Sequence, residues 1–304
     1  MAVQGLDVSS CQGKNLDFNA IKKAGYAFVI LRINEWSNVI KDNVIDSCFE
    51  TYYTKAKLAG LKVGAYWFTY ANTVDYVAYE ANKCISWLKG KQFEYPIWFD
   101  LEREQQFNQG MSFCDACVNT FCNALSKAGY YVGVYCSTFW YTKCVSESVR
   151  KKWPCWIAEW SSKCSYKGPY QLWQNGTAYV ANCGVSGGID HDFSYEENFE
   201  KIIKDGGYNG FSKPKASTTE KVLDSGSCYK LGETTVGALA VKELLRLAYA
   251  GGYHNIKVSD TKVYDESAVN AVKALQKNWG YKQTGRAGAN MVKKLYDIVM
   301  MKIK

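Results

Sequence analysis

Eight short apolar runs, each dense in β-branched and aromatic residues, recur along the first two thirds of the chain, at residues 4–9, 27–33, 62–69, 95–102, 131–137, 155–160, 170–174 and 188–193. Runs of this length and composition read as strands. Between the early ones lie residues 44–59, 74–89 and 112–128, whose apolar positions recur every three or four residues, the period of an amphipathic helix. Strand and helix in alternation imply a parallel sheet covered by helices. The intervals after Trp160 and after Gln174 leave little room for a crossover helix. The spacing therefore predicts an α/β fold, an irregular TIM-like barrel of about five βα units followed by three strands joined mostly by loops.

After Phe199 the pattern decays into a stretch containing Gly, Ser and Pro, which reads as a linker over residues 205–225. Residues 236–250, 266–279 and 289–301 then read as three amphipathic helices, enough for a small all-α module over residues 226–304. The barrel is expected over residues 1–204. A chain of 304 residues accommodates both.

Acids stand where the strands end. Tyr95-Pro-Ile-Trp-Phe-Asp-Leu-Glu102 closes on Asp100 and Glu102, two residues apart, so both side chains leave one face with Cα atoms roughly 7 Å apart. Repulsion between them separates their pKa values, leaving one as a proton donor and the other ionised; a solvated or lysine-paired strand end is the plainer alternative. The first strand carries Asp7, and the last repeats the theme with Asp190 and Asp192 on one face. A barrel gathers the C-terminal ends of its parallel strands at one mouth, so these acids would converge although they are distant in sequence. His191 lies between the last two and should face the other way, as a structural residue.

The net charge of +8 comes from lysines scattered along the chain, not from runs, which argues against a nucleic-acid surface. No apolar run is long enough to span a bilayer, so membrane insertion is not expected. The start Met1-Ala-Val-Gln-Gly-Leu enters the first strand at once and leaves no room for a signal peptide, so the chain is expected to be made in the cytoplasm. Twelve cysteines without paired CxxC spacing, beside only two histidines, make a metal site unexpected; the cysteines read mainly as small buried hydrophobes. Neither a metal nor a cofactor is expected.

Several of these segments, taken in order, resemble a known family. Gly5-Leu-Asp-Val-Ser, Val63-Gly-Ala-Tyr-Trp-Phe, Trp98-Phe-Asp-Leu-Glu, Tyr131-Val-Gly-Val-Tyr-Cys-Ser, Trp156-Ile-Ala-Glu-Trp, Leu172-Trp-Gln and Asp192-Phe-Ser resemble the strands of the glycoside hydrolase family 25 lysozymes over roughly residues 1–204. The resemblance implies an N-acetylmuramidase that cuts the β-1,4 bond after N-acetylmuramic acid in bacterial peptidoglycan. Val236-Gly-Ala-Leu-Ala-Val-Lys-Glu-Leu-Leu and Ala268-Val-Asn-Ala-Val-Lys-Ala-Leu-Gln-Lys look like the peptidoglycan-binding three-helix domain, although Val258-Ser-Asp-Thr-Lys-Val-Tyr-Asp265 replaces the usual glycine-and-aspartate loop. A basic surface suits an anionic wall polymer. Without a signal peptide, such an enzyme would reach the wall through a holin pore or on lysis. The helical module would anchor it, with a homodimer through exposed helix faces as the alternative.

Carried over by position, Glu102 would be the general acid and Asp100 its same-strand partner, with Trp98 or Trp67 as aromatic cover. Asp7 and a last-strand acid would flank the anomeric carbon. Asp192 fits the terminal motif better than Asp190, which would be its neighbour or a turn residue. Either an acid or the substrate's own acetamido oxygen would attack, and two acids on one strand favour the latter. Tyr66, Phe68, Tyr135, Trp160 and Trp173 lie near strand ends where rings stack on sugars, and Gln174 is placed to reach a hydroxyl; core packing is the alternative for each ring. A chitinase-like or glucosaminidase barrel and a non-catalytic wall-binding protein remain the competing readings.

Overall fold

The computed structural model describes residues 2–213, 223–224 and 226–300. The chain forms two compact units, Met1–Pro214 and Lys215–Lys304. In the first unit, β1 (Val3–Val8), α1 (Phe18–Lys23), β2 (Phe28–Arg32), β3 (Asn34–Ser37), β4 (Asp42–Ile45) and α2 (Phe49–Leu58) come first. Then follow β5 (Lys62–Phe68), α3 (Val74–Leu88), β6 (Ile97–Asp100), α4 (Glu104–Phe107), α5 (Met111–Lys127), β7 (Val132–Ser137), α6 (Thr138–Cys144) and α7 (Glu147–Lys152). The unit ends with β8 (Cys155–Ala158), β9 (Leu172–Ala178), β10 (Ile189–Ser194) and α8 (Phe199–Gly206).

The eight strands expected from the sequence close into one barrel, in the order β1-β10-β9-β8-β7-β6-β5-β2. Five βα units precede three strands joined by loops, the irregular barrel that the spacing predicts. One feature of the pairing differs from an all-parallel barrel. β10 runs antiparallel to both β1 and β9, with Asp7 opposite Asp190 and Gly5 opposite Asp192. The connection between β9 and β10 is too short for a crossover helix, so the chain turns back there, while β9 stays parallel to β8.

Period-two alternation divides each strand between two cores. Leu6, Val8, Val29, Leu31, Phe99 and Leu101 face outward under the helices, while Phe28, Ile30, Trp98, Trp156 and Leu172 fill the barrel. The interior holds such large rings because glycines on neighbouring strands make room. A Cβ on Gly133 would meet the Trp98 ring at 2.3 Å, and one on Gly5 would meet Phe28 at 2.3 Å. From α8, Phe199 stacks its ring 5.3 Å from Tyr95 and 6.2 Å from Trp98, plugging the barrel end opposite the mouth.

Two features were not read from the sequence. Val44 and Ile45 belong to the β3–β4 hairpin and not to the start of a helix, so α2 begins at Phe49. The hairpin is tied down by a buried network in which Asn34 donates to Asn43, Asn43 donates to Glu80, and Glu80 also accepts from Thr69. The chain after Lys204, which reads as linker, stays on the barrel through Phe211. Asn209, fully buried, donates to the Phe93 and Tyr95 carbonyls and accepts from the Tyr131 amide. Of the expected linker, residues 214–222 and 225 lie outside the described residues. The twelve cysteines are unpaired and most are buried, as small hydrophobes would be.

In the second unit, α9 (Val236–Ala250), α10 (Glu266–Asn278) and α11 (Ala289–Met300) pack around Leu245, Val272, Leu275, Met291 and Leu295. Thr235 and Asp265 cap α9 and α10 through their side chains. The loop that departs from the expected glycine-and-aspartate pattern wraps an internal cation. The Lys242 ammonium, only 2% exposed, donates to Ser259 Oγ, the Thr261 carbonyl and hydroxyl, the Val263 carbonyl and Asp265 Oδ2 at 2.7–2.9 Å. Those oxygens satisfy the charge that burial strips of water.

Candidate active site

The mouth is built from inward residues at the C-terminal ends of the parallel strands and at the start of β10. Asp7, Arg32, Tyr66, Phe68, Asp100, Glu102, Tyr135, Trp156, Gln174 and Asp190 line one pocket of about 110 Å³. It opens into a groove of about 810 Å³ that shares Glu102, Tyr135, Gln174 and Asp190 with it. The far walls of the groove are Phe139, Thr142, Glu159 and Trp160.

Which last-strand acid reaches the mouth follows from strand direction. Because β10 is antiparallel, its beginning lies at the mouth and its end points toward the plugged floor. Asp190 therefore lines the pocket, and Asp192 is fully buried one layer deeper, accepting from Trp156 Nε1 at 2.8 Å. The structure thus brings Asp190 to the pocket, while Asp192, the last-strand acid favoured from the sequence, lies beneath it. His191 faces outward, hydrogen-bonded to Asn175 and Gln4 at 2.7 and 3.2 Å.

Gln174 fixes one wall. Its Oε1 accepts from the Tyr135 hydroxyl at 3.0 Å and from Trp160 Nε1 at 3.1 Å, and its Nε2 donates to Asp7 Oδ2 at 2.8 Å. The amide orientation is thereby set. Trp173, one residue earlier, points to the outer layer and donates to the Glu159 carbonyl at 2.9 Å. It is not a lining residue, as alternation with inward Gln174 requires. Trp67 likewise faces outward against Trp87, and Trp98 lies below the pocket, so neither covers the acids. The rings that do so are Tyr66, Phe68, Tyr135 and Trp156.

Crowding of acids in this setting raises their proton affinity. Burial, with Asp190 adding repulsion, pushes Asp7 up to about 8. Asp192 is held well above the usual carboxylate range by burial and by the neighbouring Asp7 carboxyl, and its Oδ2 is buried without a hydrogen-bond partner. Asp100 is 4% exposed and is raised by burial and by Glu102, with Arg32 opposing the rise. Its Oδ1 is buried without a hydrogen-bond partner. Glu102 protrudes into the open mouth; the loss of part of its water raises its carboxyl, Arg32 lowers it and Asp190 raises it.

Arg32 and Trp156 line the pocket and were missed by the sequence reading, and Tyr70 holds Arg32 in place. Arg32 Nε donates to the Asn34 carbonyl at 2.7 Å and Nη2 to the Tyr70 hydroxyl at 2.6 Å, and the guanidinium lies 4.8 Å from the Phe68 ring centre. Its signal was legible: Phe28, Ile30 and Arg32 share a face, and a charge ending an inward apolar row belongs at a mouth. No group of three or more His, Cys, Asp or Glu side chains arranged to hold a metal occurs among the described residues.

Comparison with known proteins agrees with this fold. The sequence model of glycosyl hydrolases family 25 matches residues 6–182, and that of a putative peptidoglycan binding domain matches residues 240–295. An autolytic lysozyme of Clostridium acetobutylicum is 30% identical over 191 residues, 62% of this chain and 55% of that protein, so the chain spans about half the length of this relative. Lysozyme M1 of Streptomyces globisporus is 26% identical over 205 residues, 62% of this chain and 67% of that one. Among solved structures, the CTP1L endolysin superposes with a TM-score of 0.56 at 26% identity, covering 66% of this chain and 69% of its own.

Proposed function

Since this chain belongs to glycosyl hydrolases family 25, we propose that it hydrolyses peptidoglycan at the β-1,4 bond between N-acetylmuramic acid and N-acetylglucosamine, and that its second unit holds it to the wall. The observation that carries this reading is the meeting of Asp7, Asp100, Glu102 and Asp190 in one pocket that opens into a groove of about 810 Å³.

Glu102 is the acid exposed to the groove, and its raised carboxyl keeps a proton to give to the leaving glycosidic oxygen. Asp100 lies beside it with a buried oxygen that lacks a donor. An acetamido N–H supplies such a donor, and receiving it would aim the acetamido oxygen at the anomeric carbon. Asp190 and Asp7 close the other side, where their carboxyl oxygens face the sugar on which positive charge develops. Tyr66, Phe68, Tyr135 and Trp160 stack on or hydrogen-bond the sugars.

The α9–α11 unit has no comparable acid cluster among its described residues and matches a wall-binding family, so it raises the local concentration of the barrel at an insoluble polymer. No helix of the described residues is long and apolar enough to cross a membrane. The test is clearing of a purified wall suspension together with the appearance of new reducing sugar ends. The reading requires both from the wild type and neither from Glu102→Gln; clearing that survives in Glu102→Gln would remove this site from the chemistry.

A further inference from the structure

The broad groove leaves the acids on the β7–β8 side, through Ser137, Thr138 and Trp160. Around the barrel, β2 lies opposite β8, and the rim there has another character. Tyr70, just after β5, is clasped by two guanidinium groups. Arg32 Nη2 donates to its hydroxyl at 2.6 Å, while Arg103 Nη1 donates to its carbonyl at 2.9 Å and the Arg103 guanidinium lies 5.5 Å from its ring centre. Trp36, from the β3–β4 hairpin, extends this platform with its ring 5.4 Å from that of Tyr70.

Neither arginine has a carboxylate within salt-bridge distance among the described residues, whereas Lys57, Lys62, Lys83, Lys91 and Lys151 of the barrel each pair with one. Each guanidinium carries five N–H donors, and among the described residues two of Arg32 and one of Arg103 find acceptors. Arg103 directly follows Glu102 and leans toward β5 and β2, away from the groove. A chain lying across Glu102 would therefore present its other side to two fixed guanidinium forks with donors to spare.

We propose that Arg103 and Arg32, framed by Tyr70 and Trp36, form a carboxylate-binding subsite for the acidic substituents of the glycan. This rests on the peptidoglycan reading, because N-acetylmuramic acid carries carboxylates that a neutral sugar chain lacks. Two sources offer that chemistry: the lactyl group itself, when free, and the acidic residues of the peptide stem attached to it. A planar guanidinium pairs with either through two parallel hydrogen bonds.

The experiment compares wild type with Arg103→Gln on three soluble glycans: one bearing stems, the same glycan stripped of stems by an amidase so that the lactyl carboxylate is free, and the stripped glycan with that carboxylate converted to a primary amide. Glutamine keeps a donor for the Tyr70 carbonyl, and melting curves check the fold. The expected result is a preference for carboxylate-bearing over neutral glycan that falls roughly tenfold in Arg103→Gln through KM, as loss of one charge-assisted hydrogen bond implies, and that Arg103→Lys restores in part. A fall confined to the stem-bearing glycan assigns the subsite to the stem, one confined to the stripped glycan assigns it to the free lactyl group, and an equal fall on both shows that the subsite takes either carboxylate. Equal loss on all three glycans, or loss on none, overturns the proposal. If the wild type cuts none of the three, the hydrolase reading has failed and not the subsite alone.

Discussion

Asp7→Asn should make the barrel more stable at neutral and alkaline pH while lowering its activity. Asp7 rises from the ordinary 3.8 to about 8 because burial removes its water and Asp190 adds like charge. A carboxyl whose folded pKa is raised contributes its full stability below about 4 and loses it as the pH climbs through about 8, since the unfolded chain sheds the proton first. At about 1.4 kcal/mol per unit, that interval corresponds to on the order of 5 kcal/mol, spread over Asp7, Asp192 and Asp190 as they titrate together. Asparagine has no proton to lose, and its carbonyl can still accept from Gln174 or Asp192. Urea unfolding followed by tryptophan fluorescence reports mainly on the barrel, because every tryptophan except Trp279 lies in the first unit. At pH 4 the variant should match wild type to within about 1 kcal/mol, and at pH 8 it should exceed it by a few kcal/mol. A variant whose stability falls with pH as steeply as wild type would refute the account of the cluster.

Glu102→Gln should cut the rate on soluble glycan by roughly 10²–10⁴ with an unchanged melting curve, since glutamine keeps the shape and gives up the proton. Asp190→Asn should cost far more in kcat than Asp192→Asn: asparagine at 192 can still accept from Trp156 and donate to Asp7, whereas Asp190 lines the pocket itself. The opposite ranking would mean that the register of β10 at the mouth is wrong. A chain ending at Lys213 should fold, cleave soluble fragments at the full rate and lyse intact walls more slowly; unfolding would show that the second unit is integral, and a fall in sedimentation coefficient beyond the mass removed would show that it dimerises the protein.

Strands and their order were legible because apolar period-two runs report burial on one face directly, and helices at 74–89, 112–128 and in the second unit because their apolar stripes are wide. Direction was not legible. Residues 188–193 read the same whether the strand enters or leaves the mouth, and only the pairing with β1 decides that Asp190 and not Asp192 faces the pocket. The error at Trp173 has a simpler origin, since Leu172 and Gln174 share the inward face and alternation alone places the tryptophan outside. The β3–β4 hairpin escaped notice because Val44 and Ile45 fit a helical stripe equally well, and what holds them in a strand is the long-range bonding of Asn34, Asn43 and Glu80. Arg32 and Tyr70 carry no local signature of joint action; 38 residues separate them and the closed sheet joins them.

The central claim is that this mouth cuts the bond on the N-acetylmuramic acid side. Mass spectrometry of borohydride-reduced digests of purified peptidoglycan tests it most directly, because reduction marks the sugar whose anomeric carbon was attacked. Fragments ending in reduced N-acetylmuramic acid are the expected result, absent from a parallel digest with Glu102→Gln. Fragments ending in reduced N-acetylglucosamine, or no new ends at all, would contradict it.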